Sequence, residues 1–149
     1  MIKEDFVSFE QAKKLKALGL KSDTYKYYSV ENYSEGNNPF SFDTICVGDL
    51  IDSPIICEED DGEIIIDENY NIAAPTLSQA CKWLRSKDIL IHILPKSNNK
   101  YMTQVWEISS YDILETLRGE FDTYEQAQSA GVDVALGLLD ERKEIETGN

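Results

Sequence analysis

One five-residue spelling opens three segments of this chain: Ser8-Phe9-Glu10-Gln11-Ala12, Thr76-Leu77-Ser78-Gln79-Ala80 and Thr123-Tyr124-Glu125-Gln126-Ala127. Each is a capping box. The first hydroxyl accepts a hydrogen bond from the backbone three residues on, and the glutamine side chain returns one to the cap. Three helix starts are thereby placed before any other element is assigned. The starts lie 68 and 47 residues apart with unrelated flanks. Capping physics demands the pattern, so convergence explains it better than an internal repeat.

Around these starts the remaining elements fall into place. Residues 8–18 carry Phe9, Ala12, Leu15 and Leu18 on one stripe and stop at Gly19, a residue that accepts the left-handed conformation ending a helix. Residues 24–30, TYKYYSV, are rich in strand formers. Residues 31–43 hold Gly36-Asn37-Asn38-Pro39 and read as a long loop. Residues 54–58 and 63–67 are β-branched runs around Glu59-Asp60-Asp61-Gly62, which predicts a hairpin. Residues 76–87 place Leu77, Ala80, Cys81 and Leu84 at helical spacing. Residues 88–94 and 101–109 read as two strands joined by a turn at 96–100.

In the second of these strands Tyr101, Thr103, Val105 and Glu107 share one face, while Met102, Gln104, Trp106 and Ile108 share the other. Residues 110–117 are expected to form a short helix ended by Gly119. The last helix follows Thr123, with Tyr124, Ala127, Gly131, Val134, Ala135 and Leu138 on one face, and residues 142–149 are expected to fray. The whole predicts an α+β fold, with an antiparallel or mixed sheet of about five strands in hairpins and three to four helices packed against it. At 149 residues it is expected to form a single domain, 1–149.

Charge is distributed unevenly. Fourteen basic residues stand against twenty-eight acidic ones, a net charge of −14. Residues 27–81 contain no Lys or Arg and hold twelve acids, so nearly all the imbalance comes from one continuous third of the chain. A chain of this sign is a poor ligand for phosphates, which argues against direct nucleic-acid binding and against anionic membrane surfaces. The start, Met1-Ile2-Lys3-Glu4-Asp5, carries no basic region followed by an apolar run. No signal peptide is expected, and a cytoplasmic location is the expectation.

The common chemistries leave no mark. The eight glycines are scattered and no Gly-Lys-Ser/Thr occurs. One His and three dispersed Cys do not build a Cys/His zinc site. An EF-hand with Gly62 at its sixth position would put Cys57 where the first carboxylate belongs. No metal and no cofactor are expected, and no catalytic residue is nominated.

Cys46, Cys57 and Cys81 sit beside apolar neighbours and read as buried thiols. A reactive Cys81 would need a nearby His or cation. His92 points away from Ile91 and Ile93, alongside Leu90 and Leu94, and reads as a structural histidine. Trp83, Trp106 and the tyrosines at 25, 27, 28 and 33 serve either packing or an exposed patch for partner recognition.

Two stretches carry a resemblance. Ala74-Pro75-Thr76-Leu77-Ser78-Gln79-Ala80-Cys81-Lys82-Trp83-Leu84-Arg85 is one; Phe121-Asp122-Thr123-Tyr124-Glu125-Gln126-Ala127, continuing through Ala130-Gly131 to Ala135 and Leu138, is the other. Over residues 72–140 the chain resembles short proteins encoded by gut-bacterial mobile elements and phages of the Bacteroides type. The resemblance implies no activity and brings no catalytic residues.

The function expected from these features is that of a non-enzymatic accessory protein. It would bind a basic partner protein through an acidic surface containing Glu58, Glu59, Asp60, Asp61, Glu63, Asp67 and Glu68. One alternative is a DNA mimic that inhibits a nucleic-acid-binding enzyme, which requires carboxylates spaced like phosphates. Another is a small ligand-binding protein or enzyme with a site built from the 31–43 loop, for which a pocket holding His92 or convergent acids would speak.

Overall fold

In the computed structural model the described residues are 4–21, 26–30, 33–34, 44–45, 47–52, 54, 56–58, 61–66 and 70–147. They form helix α1 (Phe9–Ala17), strands β1 (Tyr27–Ser29), β2 (Tyr33–Ser34), β3 (Thr44–Ile45), β4 (Leu50–Ile51), β5 (Ile56–Glu58), β6 (Ile64–Ile66) and β7 (Asn71–Ala73), helix α2 (Leu77–Ser86), strands β8 (Ile89–Lys96), β9 (Lys100–Glu107) and β10 (Asp112–Phe121), and helix α3 (Tyr124–Thr147). The α+β class is as expected. The strands are arranged differently from the single five-stranded sheet. Two three-stranded antiparallel sheets, β4-β1-β7 and β10-β9-β8, stand beside two two-stranded pairs, β2-β3 and β5-β6.

The capping glutamines position the helices. Ser8 Oγ accepts from the Gln11 amide (3.1 Å) and Gln11 Oε1 accepts from the Ser8 amide (2.8 Å). Thr76 and Gln79 repeat the exchange at 3.1 and 2.9 Å. At α3 the box is displaced by one residue: Thr123 Oγ1 still accepts from the Gln126 amide, but Gln126 Oε1 accepts from the amide of Asp122. Gln11 has a second task. Its Nε2 donates to the carbonyl and hydroxyl of Ser129 and to Asp133 Oδ1, at 2.9–3.1 Å, which ties α1 to α3. A fully buried amide needs such partners, because an unpaired one costs about 1–3 kcal/mol.

Helix α3 lies on one face of the β8–β9–β10 sheet. Gly131 lets the backbones approach: a Cβ there would meet Cγ2 of Ile91 at 2.6 Å and Cγ2 of Thr103 at 2.8 Å. Thr103 Oγ1 donates to the carbonyl of Ala127 at 2.8 Å, so its buried hydroxyl is satisfied. Helix α2 packs between α3 and β8, and α1 packs on α3 and β7. Leu15, Leu84, Ile89, Val105, Val132 and Leu136 are fully buried where these elements meet. Burial of each contributes roughly 1.5–3 kcal/mol. The expected α3 face needs amendment, since Tyr124 is exposed while Val132 and Leu136 are buried. The helix meets the sheet on one side and α1 and α2 on another, so its buried surface is wider than one stripe.

The helix expected at residues 110–117 does not form: 110–111 belong to the turn after β9, and 112–117 are the first part of β10. Ile113 pairs with Trp106, Glu115 with Val105 and Leu117 with Thr103, with a bulge between Ile113 and Glu115. Leu114, Glu115 and Leu117 favour helices in isolation. The open edge of β9 supplies backbone partners that outweigh this preference, since a buried amide or carbonyl left unpaired is costly. Gly119 therefore lies within a strand rather than ending a helix. The polar stretch from Arg142, expected to fray, is helical to Thr147, and Arg142 Nη2 donates to Glu107 Oε2 at 2.7 Å.

Strand β8 also runs further than expected, through Pro95, which pairs opposite Tyr101. Proline is tolerated there because β8 is an edge strand. Asn98 and Asn99 take left-handed φ angles of 65° and 59° in the turn to β9, a conformation in which asparagine is enriched.

Candidate functional site

Alternation along β8 and β9 sends Ile91, Thr103 and Val105 towards α3 and sends Leu90, His92 and Trp106 to the opposite face. On that outer face Leu90, His92, Trp106, Glu107, Ile108 and Tyr111 line an open groove of about 270 Å³. Trp106 is its centre. The His92 ring stands edge-on to it at a centroid distance of 6.5 Å and 63°, and the Tyr111 ring does so at 6.3 Å and 87°. Gln104, two residues back on the same face, accepts a hydrogen bond from Trp106 Nε1 at 3.1 Å and fixes the indole.

The turn that delivers Tyr111 is anchored by Asp88. Its carbonyl accepts from the Ile108 amide at 3.0 Å. Its carboxylate accepts from the amide and hydroxyl of Ser109 at 2.9 and 2.6 Å. Asp88 adopts φ 70° and Tyr111 φ 64°. For a bulky side chain such as tyrosine this region is an outlier. Tyr111 is nevertheless 83% exposed, with Ile108 and Ile113 exposed beside it. Glu107 at the groove's end is held by Arg142, and Asp112 stands opposite Glu107 in the ladder.

His92 is thus an exposed ring on an aromatic face rather than a satisfied core histidine. Tyr111 is the groove residue that sequence reasoning missed. A helix at 110–117 hides it, and alternation does not recover it. Carried on from Trp106 and Ile108, the period of two would put Tyr111 on the face of Thr103 and Val105, and only the turn at 108–111 brings its ring back to Trp106.

The acids nominated from the sequence fall elsewhere. Glu58 ends β5 opposite Ile64. Asp61 and Glu63 are exposed in the hairpin turn, where Gly62 has φ 79° and Asp61 Oδ1 accepts from the Glu63 amide at 3.0 Å. Glu59, Asp60, Asp67 and Glu68 lie outside the described residues, as does the 31–43 loop apart from residues 33–34. Asp52 of the same acidic third pairs with Lys26. The pairs Lys13–Glu10, Lys96–Glu120, Lys100–Asp122 and Arg142–Glu107 use acids from outside that third.

Cys81 is buried in α2 and accepts a hydrogen bond from Gln128 Nε2 at 3.5 Å. Burial pushes its thiol up from the ordinary value, against smaller opposing pulls from Gln128 and from the charge of Arg85. The nearby cation that a reactive thiol needs is present, but desolvation outweighs it. Among the described residues there is no group of three or more His, Cys, Asp and Glu that could hold a metal ion, and no helix long and apolar enough to cross a membrane.

No protein-family model matches the chain, and no curated protein or solved structure matches it.

Proposed function

We propose that this chain is a binding protein, not a catalyst, and that it holds a basic partner protein through the acidic third of its sequence. The observation that carries the reading is the charge of −14, nearly all of it from residues 27–81, with Asp49, Asp61 and Glu63 exposed to solvent. A local excess of one sign raises the encounter rate with the opposite sign and rejects like-charged partners. Lys26 engages Asp52, while the ion pairs of Lys13, Lys96, Lys100 and Arg142 use acids from other parts of the chain. Asp61 and Glu63 are exposed in the hairpin turn, where their field reaches solvent.

The test compares two variants of equal net charge by fluorescence anisotropy with a labelled alternating lysine–alanine decapeptide. In one, Glu58, Glu59 and Glu63 become Gln, and Asp60 and Asp61 become Asn. In the other, Glu4, Glu125, Glu141 and Glu144 become Gln, and Asp5 becomes Asn. The hairpin set weakens binding about tenfold, or about 1.4 kcal/mol, and the control set changes it less than about twofold. Equal losses, or no binding by the unaltered chain, overturn the reading.

A further inference from the structure

We infer that the groove over Trp106 is an aromatic cage that receives the charged head of an arginine or lysine side chain from a partner protein. The inference rests on the reading of this chain as a binder of basic partners, and it names where such a partner anchors.

Three features single out that guest. The first is ring geometry. His92 and Tyr111 both stand steeply to Trp106 and line the same groove, and the face of an aromatic ring carries a negative quadrupole that attracts cations. The second is size. An open groove of about 270 Å³ has room for one long side chain.

The third is charge. The lining residues Leu90, His92, Trp106, Glu107, Ile108 and Tyr111 include no lysine or arginine, and Asp88 and Asp112 flank the turn that carries Tyr111. The Glu107 carboxylate is held by Arg142, but an anionic guest would still meet those of Asp88 and Asp112, and any guest must cover the apolar surface of Leu90 and Ile108. Long basic side chains satisfy both demands, with an apolar stem against Leu90 and Ile108 and a cation over the rings.

The backbone of Tyr111 points the same way. Its left-handed conformation is costly for an aromatic residue, and at 83% exposure burial returns little of that cost. Unfavourable backbone of this kind concentrates at ligand clamps. The ring is held in front of Trp106 by the Asp88–Ser109 hydrogen bonds one turn earlier.

The test uses the full chain labelled with ¹⁵N and two probes, N-acetyl-arginine amide and N-acetyl-norleucine amide. Trp83, on α2 with the Lys87 ammonium 5.5 Å from its ring centroid, provides an internal reference indole. The arginine probe shifts the Trp106 indole N–H and the Tyr111 amide saturably and leaves the Trp83 indole unmoved. Its affinity exceeds that of the norleucine probe about two- to fivefold, the increment of an exposed cation–π contact.

Tyr111→Ala removes that difference, and so does Trp106→Leu. The tyrosine is exposed, so its variant folds whether or not the tryptophan variant does. Equal responses to both probes, no response, or an undiminished difference in Tyr111→Ala overturn the cage. The arginine probe bears one charge and is short, so neutralising the hairpin acids leaves its response intact. Loss of decapeptide binding and loss of the cage are therefore separate results.

Discussion

Gly131 stands so close to Ile91 that a single methyl group on its α-carbon would lie 2.6 Å from Ile91 Cγ2. Helix α3 meets its sheet backbone-first at that point. Gly131→Ala gains about 1 kcal/mol of helix propensity. It also overpacks a site with no room to yield, which costs about 1–3 kcal/mol. Gly137, six residues on, has nothing within 4 Å of its would-be Cβ, so Gly137→Ala keeps the gain without the clash. Urea unfolding is expected to show a lower midpoint for Gly131→Ala and a higher one for Gly137→Ala. A raised midpoint for both would mean that α3 does not approach β8 this closely.

Cys81 is expected to be chemically quiet. In a chain with Cys46 and Cys57 replaced by serine, a disulfide reagent labels Cys81 slowly in native buffer and rapidly in denaturant, because its thiol is buried and its ionisation is opposed by desolvation. Rapid labelling of the folded chain would contradict the burial.

The same desolvation sets an alkaline limit. Tyr28, whose hydroxyl donates to the carbonyl of Val7, is likewise raised by burial. A group whose folded pKa lies above its unfolded one binds more protons in the folded state between the two values. Its contribution is whole below the unfolded pKa and is lost as pH rises through the folded one. Unfolding stability therefore falls from about pH 8.5, where an unfolded thiol ionises, and falls further beyond about pH 10, where an unfolded tyrosine does. Cys81→Ala flattens the first part of the decline and Tyr28→Phe the second. Urea midpoints measured across this range check both, and an unchanged slope in either variant counts against the corresponding group.

Tyr111→Gly separates stability from binding. Relief of the left-handed backbone returns about 1–2 kcal/mol, and loss of the ring contact with Trp106 takes back about 0.5–1.5 kcal/mol. Thermal unfolding should thus stay within about 1 kcal/mol of the unaltered chain, while the arginine probe loses its advantage over norleucine. A larger destabilisation would show that the tyrosine serves the fold instead.

What the sequence discloses and what it hides follow one physical line. Local rules were readable: Ser8 with Gln11, Thr76 with Gln79, Gly19 after α1, and the alternation of Thr103 and Val105 against Trp106. These depend on neighbours a few residues away. Residues 110–117 read as a helix because Leu114 and Leu117 say nothing of a partner strand, whereas β10 is held by its pairing with β9.

The groove was hidden for the same reason. His92, Trp106 and Tyr111 come from two strands and a turn, and the last is aimed by Asp88 from the far end of α2. Gln11 was legible as a cap, but its bonds to Ser129 and Asp133 span more than a hundred residues and leave no local trace.

Recognition of a basic segment is tested most directly by a chemical-shift map of the ¹⁵N-labelled chain titrated with an alternating arginine–leucine decapeptide, with a glutamate–leucine decapeptide as control. The arginine peptide is expected to perturb residues 61–66 together with Leu90, His92, Trp106 and Tyr111, and the glutamate peptide to leave all of them in place. Shifts spread evenly over the surface, confined to other elements, or reproduced by the glutamate peptide would contradict it.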